Sequence, residues 1–178
     1  MNATRRKTLT SLDLCALVSA FDDFADRAES AACDWRYSSA LDALRRAVAD
    51  ADNESGVADA AESVVQAEAD DEQAGYDNLP EGFQQTERGQ RMEEAAGHLL
   101  DAGSSLAEIT DYTRSAAESL ERLDALLANA LVDEQTGRWL LDDVEEVEDL
   151  YDQVRHDLRY AADAAQAALD EVESAVAC

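Results

Sequence analysis

Two unbroken heptad runs constrain this chain more than any other feature. Met92, Ala95, Leu99, Ala102, Leu106, Ile109, Thr113, Ala116, Leu120, Leu123, Leu127 and Ala130 follow one another in steps of three and four. After a polar turn at residues 133–137 the steps resume at Leu140, Val144, Val147, Tyr151, Val154, Leu158, Ala161, Ala165, Ala168, Val172 and Ala175. Such steps keep side chains on one stripe of a helix, a period that no strand reproduces. Two long helices joined by a short turn fold back antiparallel and bury their stripes against each other. Leu alternates with Ala, so facing layers interdigitate but leave a thin seam. A second copy of the chain, forming a homodimer, is therefore a candidate to complete the core.

The first half carries the same period in shorter pieces. Residues 1–9 read as a basic N-terminal arm with Arg5, Arg6 and Lys7. Thr10 or Ser11 offers an N-cap for a helix over 11–33, whose stripe runs Leu14, Leu17, Phe21, Phe24, Ala28, Ala31 and on to Trp35. The phase slips near residues 33–39, which places a break before a helix over 38–52, with Ser38 or Ser39 as its cap. Asn53 to Gly56 reads as a turn. A helix over 57–75 then turns Val57, Ala61, Val64 and Ala67 or Glu68 inward. Residues 75–85 hold the only proline, Pro80, and form a loop anchored by Tyr76, Leu79 and Phe83. Thr86 caps a helix over 86–131, and Trp139 opens the last helix, over 138–176. The expectation is an all-α fold: residues 10–178 form one elongated antiparallel bundle, or coiled-coil hairpin, of three to five helices.

Charge narrows the partners. Lys and Arg number 14 against 41 Asp and Glu, a formal net charge of −27. A phosphate backbone would be repelled, and so would an anionic membrane surface. Direct nucleic-acid and membrane partners are set aside on that ground, and the basic surface of another protein or nucleoprotein complex is favoured. Two readings of the acidity need no partner. A salt-adapted proteome favours acids over lysine, and a GC-rich genome replaces Lys by Arg; Lys7 is the only lysine here.

Little in the chain suggests chemistry. Cys15, Cys33 and Cys178 are odd in number and lack CxxC spacing, so they read as reduced thiols, the first two as small packing residues. His98 follows Glu94 by four residues, and His156 follows Asp152 by four, but neither histidine sits in the Glu-x-x-His pattern of helical di-iron sites. With no phosphate-binding loop and no nucleophile elbow, the expectation is a protein that is not an enzyme and needs no cofactor or metal. Residues 1–10 lack the apolar core of a signal peptide, and no apolar run approaches the length of a membrane span. The expected compartment is the cytoplasm. Trp35 and Trp139 read as packing residues rather than binding anchors.

The acidic faces remain as candidate partner-binding residues. Asp142, Asp143, Glu145, Glu146, Glu148, Asp149 and Asp152 crowd the start of the last helix. Val144, Val147 and Tyr151 point inward between them. Asp70, Asp71 and Glu72 form a second cluster. A solvated helix face explains both clusters without function. The sharper reading is a carboxylate array at spacings near those of duplex phosphates, presented to a basic nucleic-acid-binding groove.

The stretch from Tyr76 to Gln84, YDNLPEGFQ, followed by Thr86 to Ala95, TERGQRMEEA, resembles a helical hairpin in small acidic phage and prophage proteins. Their segment reads roughly YDNLPESLQ, then SERGE and MEEA. This chain departs from it at Gly82-Phe83 and at Gln90. The likeness covers roughly a quarter of the chain and implies a mobile-element origin, hence a host cytoplasm. It implies no activity, because that family is uncharacterised. In physical terms, Leu79 and Phe83 would staple the hairpin, Pro80 would set its turn, and Gly89 would let a neighbouring helix approach. The combined expectation is a non-enzymatic phage-type protein that docks its acidic surface on a basic host surface, in its sharpest form as a nucleic-acid mimic. The alternatives are a self-associating coiled-coil scaffold, or a salt-adapted helical protein of unrelated role.

Overall fold

The computed structural model describes residues 3–128, 130–141 and 144–178, with side chains from residue 7 onward. The elements in chain order are α1 (Ala3–Thr10), α2 (Leu14–Cys33), α3 (Ser38–Asp77), α4 (Glu81–Gln84), α5 (Glu87–Leu127), β1 (Leu131–Val132), β2 (Trp139–Leu140) and α6 (Glu145–Ala177). The fold is all-α, and among the described residues the only sheet is a ribbon of two two-residue strands.

Helices α2, α3, α5 and α6 close into a ring in which each runs antiparallel to its neighbours. Polar ties fix the register on all four sides. Arg27 of α2 meets Asp50 of α3 at 2.8 Å, and Arg45 of α3 meets Asp124 of α5 at 2.8 Å. The Thr110 hydroxyl of α5 donates to Asp59 of α3 at 2.6 Å, and His98 of α5 lies 2.6 Å from Glu171 of α6. Arg155 and Arg159 of α6 reach Glu29 and Asp26 of α2 at 3.2 Å and 2.9 Å. Inside the ring, Leu99, Leu106, Ile109 and Leu123 of α5 are fully buried, as are Tyr151, Val154 and Leu158 of α6. Phe21 and Leu17 of α2 and Leu44 and Val48 of α3 join the same core. Each such aliphatic side chain contributes about 1.5–3 kcal/mol on burial. Apart from Leu140 and Val144, which are exposed, the two heptad stripes are thus largely covered within one chain.

The first half departs from expectation in three places. There is no turn at residues 53–56, because α3 runs unbroken for 40 residues. Asn53 donates to the Ala49 carbonyl at 2.8 Å and Ser55 to the Asp52 carbonyl at 2.7 Å. Side chains that often end a helix here bond to their own helix instead. Burial of Ala51, Ser55 and Ala58 outweighs the roughly 1 kcal/mol cost of Gly56. Counting through the helix rather than restarting after a turn shifts the phase by one residue. Ala58, Ala61, Val65, Ala69 and Glu72 face inward, while Val57 is exposed and Val64 only half-buried. The basic arm is also helical, as α1, and its Leu9 is buried. The α2 cap is Asp13, whose carboxylate accepts from the Ala16 N–H at 3.1 Å, rather than Thr10 or Ser11.

The expected break near residue 35 is present, with Trp35 buried in it. Neither Ser38 nor Ser39 caps α3; its N-cap is Tyr37, without a side-chain bond. The Ser38 N–H donates to the Gly137 carbonyl at 3.0 Å, and the Trp139 N–H to the Arg36 carbonyl at 2.9 Å. The segment after α5 is therefore a small antiparallel ribbon, pairing Leu131 with Leu140 and Val132 with Trp139. Gly137 turns it at φ 70°. Trp139 lies in β2 rather than opening α6, which begins at Glu145, and Leu140 and Val144 are exposed rather than inward.

Between α3 and α5, Pro80 starts the short α4 and Thr86 caps α5, accepting from the Gly89 N–H at 3.4 Å, as its sequence position suggests. Gly89 does permit a close approach, by the C-terminal end of the neighbouring short helix α4. A Cβ there would stand 2.3 Å from the Gln84 carbonyl oxygen. Phe83 is 62% exposed and so does not anchor the loop. Among the described residues, no helix is long and apolar enough to cross a membrane.

Candidate functional site

The α6 N-terminus carries the densest acid array. Val147, Leu150, Tyr151 and Val154 are buried, which fixes the inward side of the helix. Glu145, Glu146, Glu148, Asp149 and Asp152 are all exposed. At 100° per residue they fan over roughly 160° of the surface, centred opposite the buried stripe. Glu145, Glu146 and Glu148 also lie in the first turn, where the helix dipole favours anions, and Val144 supplies no side-chain cap. Arg122 approaches Glu146 at 3.6 Å and Arg155 lies 3.3 Å from Asp152, so part of this charge is offset locally. Asp142 and Asp143 lie outside the described residues.

The second cluster is split. Asp70 and Asp71 are exposed, but Glu72 is only 2% exposed and belongs to the inward face of α3. The continuous phase of α3 carries it there. Nor do the two clusters meet. Gln66 sits opposite Gly103 of α5, and Glu146 opposite Arg122. The clusters are therefore separated by roughly 35 Å along the bundle.

The histidines and cysteines form no constellation. Among the described residues, no group of three metal-ligating side chains comes together. His98 pairs with Glu171, while His156 is exposed and stacks on Tyr160 with centroids 6.4 Å apart. Cys15 and Cys33 are exposed rather than packed, and Cys178 is half-buried. Trp35 and Trp139 pack on the core, as their positions suggest.

Two features escaped the sequence reading. Asp157 is 4% exposed at the α5–α6 seam, where burial raises its pKa against the opposing effects of hydrogen bonds from Ser115 and Gln153. Thr113, buried on α5, has no hydrogen-bond partner for its hydroxyl. Burial also pushes up the Tyr151 phenol. The second feature is the ribbon. The Asp133 carboxylate accepts from the N–H groups of Thr136 at 3.0 Å and Gln135 at 2.8 Å, which holds it below the usual carboxylate range. The Asp133-to-Gly137 spacing was the available signal for a hairpin, since Asp tightens such turns and Gly accepts positive φ.

No protein family, curated protein or solved structure matches this chain.

Proposed function

We propose that this chain is a non-enzymatic protein-binding protein that offers its acidic helical rod to the basic surface of a partner, much as a duplex offers its phosphates. One observation carries the reading. A net charge of −27 is spread along a bundle whose longest helix has 41 residues. At about 1.5 Å per residue that rod is roughly 60 Å long, or one net charge per about 2 Å of axis. Duplex DNA carries one per about 1.7 Å. The arginines reinforce the contrast: Arg27, Arg45, Arg155 and Arg159 tie helix to helix, so their charges are paired with acids of the bundle. The likeness to phage hairpins supports a mobile-element origin and a basic host protein or nucleoprotein complex as the partner, in the host cytoplasm. Self-association through the heptad seams draws little support from the fold, because all of those seams but the exposed Leu140 and Val144 end is covered within one chain.

Capture from host lysate followed by competition tests this. The expected partners are basic nucleic-acid-binding proteins, lost on raising salt from about 50 to about 200 mM and displaced by added duplex. Converting Glu145, Glu146 and Glu148 to Gln and Asp149 to Asn should weaken the complex at least tenfold. Full binding by that variant, together with indifference to duplex, would remove the proposal.

A further inference from the structure

The ribbon end of the bundle has an apolar face with no cover. Leu131 and Leu140 stand opposite each other in register, so both project from the same side of the ribbon. They are 70% and 58% exposed, while Val132 and Trp139 on the other side are half-buried. Among the described residues, nine large apolar side chains are exposed, and five of them gather at this end: Tyr37, Leu126, Leu131, Leu140 and Val144. Scattered exposed leucines need no explanation, but two side by side on one small ribbon, with three more large apolar side chains on the segments around it, mark an interaction site.

Two further facts say what fits there. Residues 36–38 cover the far edge of β2 through the Arg36 and Ser38 backbone bonds, so β1 is left as the edge strand of the ribbon. The acids of α6 begin immediately after Val144, and Glu134 in the turn is exposed as well. The basic groups at this end are few. Arg36 lies over the Trp35 ring at 4.8 Å and Arg138 over the Tyr37 ring at 5.9 Å, while Arg122 is engaged by Glu146 and Arg45 by Asp124. An apolar ledge followed closely in the chain by carboxylates complements a segment with aliphatic side chains on one face and Lys or Arg beside them. A second copy of the chain is disfavoured, because it would set acid cluster against acid cluster.

We infer that the outer face of the β1–β2 ribbon is a docking site for an extended basic segment of a partner protein. The segment pairs along β1, lays apolar side chains on Leu131 and Leu140, and places its cations against Glu145, Glu146, Glu148 and Asp149. This rests on the acidic-docking reading and gives it an anchor point.

The full chain is titrated by fluorescence anisotropy with two labelled peptides of equal length and at low ionic strength, one of lysine alone and one alternating lysine with leucine. The alternating peptide is expected to bind at least tenfold more tightly. The double variant Leu131→Ser, Leu140→Ser should abolish that preference without altering oligolysine binding. Both leucines are exposed, so folding is not at issue, and unchanged helical circular dichroism verifies it. N-methylating alternate peptide nitrogens should weaken the alternating peptide further, without touching the protein. If oligolysine binds and the alternating peptide gains nothing, or the double variant keeps the preference, the anchor is overturned while acidic docking stands. If neither peptide binds, both fall. A concentration-dependent dimer that the double variant dissolves, with no peptide preference, reassigns the face to self-association and overturns the inference.

Discussion

Gly89 and Gly97 both lie in α5, yet their missing side chains do opposite work. A Cβ at Gly89 would collide with the Gln84 carbonyl, whereas one at Gly97 would meet nothing within 4 Å. Gly89→Ala should therefore destabilise the fold by about 1–3 kcal/mol through overpacking. Gly97→Ala should stabilise it by about 0.5–1 kcal/mol through helix propensity. Urea unfolding of the two variants checks the pair, and equal shifts would contradict the geometry. Asp157 supplies a pH dependence. Its folded-state pKa is raised by burial. Its contribution is thus fully favourable below the ordinary aspartate value of about 3.9 and is lost as pH rises through the raised one. Asp157→Asn should match the parent at low pH and become the more stable protein toward neutrality, as seen in melts across that range. Sequence spacing pointed to Gly89 as a close approach but could not say which backbone lies beneath it. It missed Asp157 because a single stripe was counted on α6. A helix with neighbours on two sides buries a wider arc, and that arc takes in Leu150, Asp157, Ala162 and Ala164.

Helices α5 and α6 were readable because their stripes are long and uniform; α3 was not. Its Asn53-Glu54-Ser55-Gly56 segment has turn composition, but composition reports local preference, and the buried Ala51, Ser55 and Ala58 decide the outcome. Nothing stands within 4 Å of a Cβ at Gly56. Gly56→Ala should raise stability by about 0.5–1 kcal/mol, whereas Gly56→Pro removes a backbone bond and should cost about 3 kcal/mol or more. A turn at that point would tolerate proline, so thermal melts of the two variants separate a continuous helix from a broken one. The ribbon was hidden for a different reason. Leu140 and Val144 continue the α6 steps in sequence, and periodicity alone cannot show that the helix has not yet begun.

The charge of the assembled molecule bears on its conditions of life. No basic residue occupies the last turn of α3, α5 or α6, where the helix dipole would favour one. The acids in the first turn of α6 suit its dipole, but no cation offsets the C-terminal ends, and self-repulsion of the acid excess works against the compact state. The melting temperature should climb as salt rises from about 0.01 to about 0.15 M, over which the screening length falls from about 30 to about 8 Å. A chain acidic for the sake of a partner should already be folded at the upper end of that range. One shaped by a saline habitat should need molar salt, and circular dichroism against salt distinguishes them. That the ring has four walls was only partly foreseeable, because spacing gives the stripes but not which helices share them. The walls are unequal. α2 has 20 residues beside neighbours of 40 and 33, and its ties to α6 are exposed ion pairs of the kind that contribute about 0–1 kcal/mol each. Amide hydrogens in α2 should accordingly exchange faster than those in α5 under native conditions, as the signature of a local opening in which one wall swings out while the α5–α6 hairpin stays shut. Such a protein has a built-in order of undoing, and its first step uncovers Leu17, Phe21 and Phe24 long before the rest of the rod gives way.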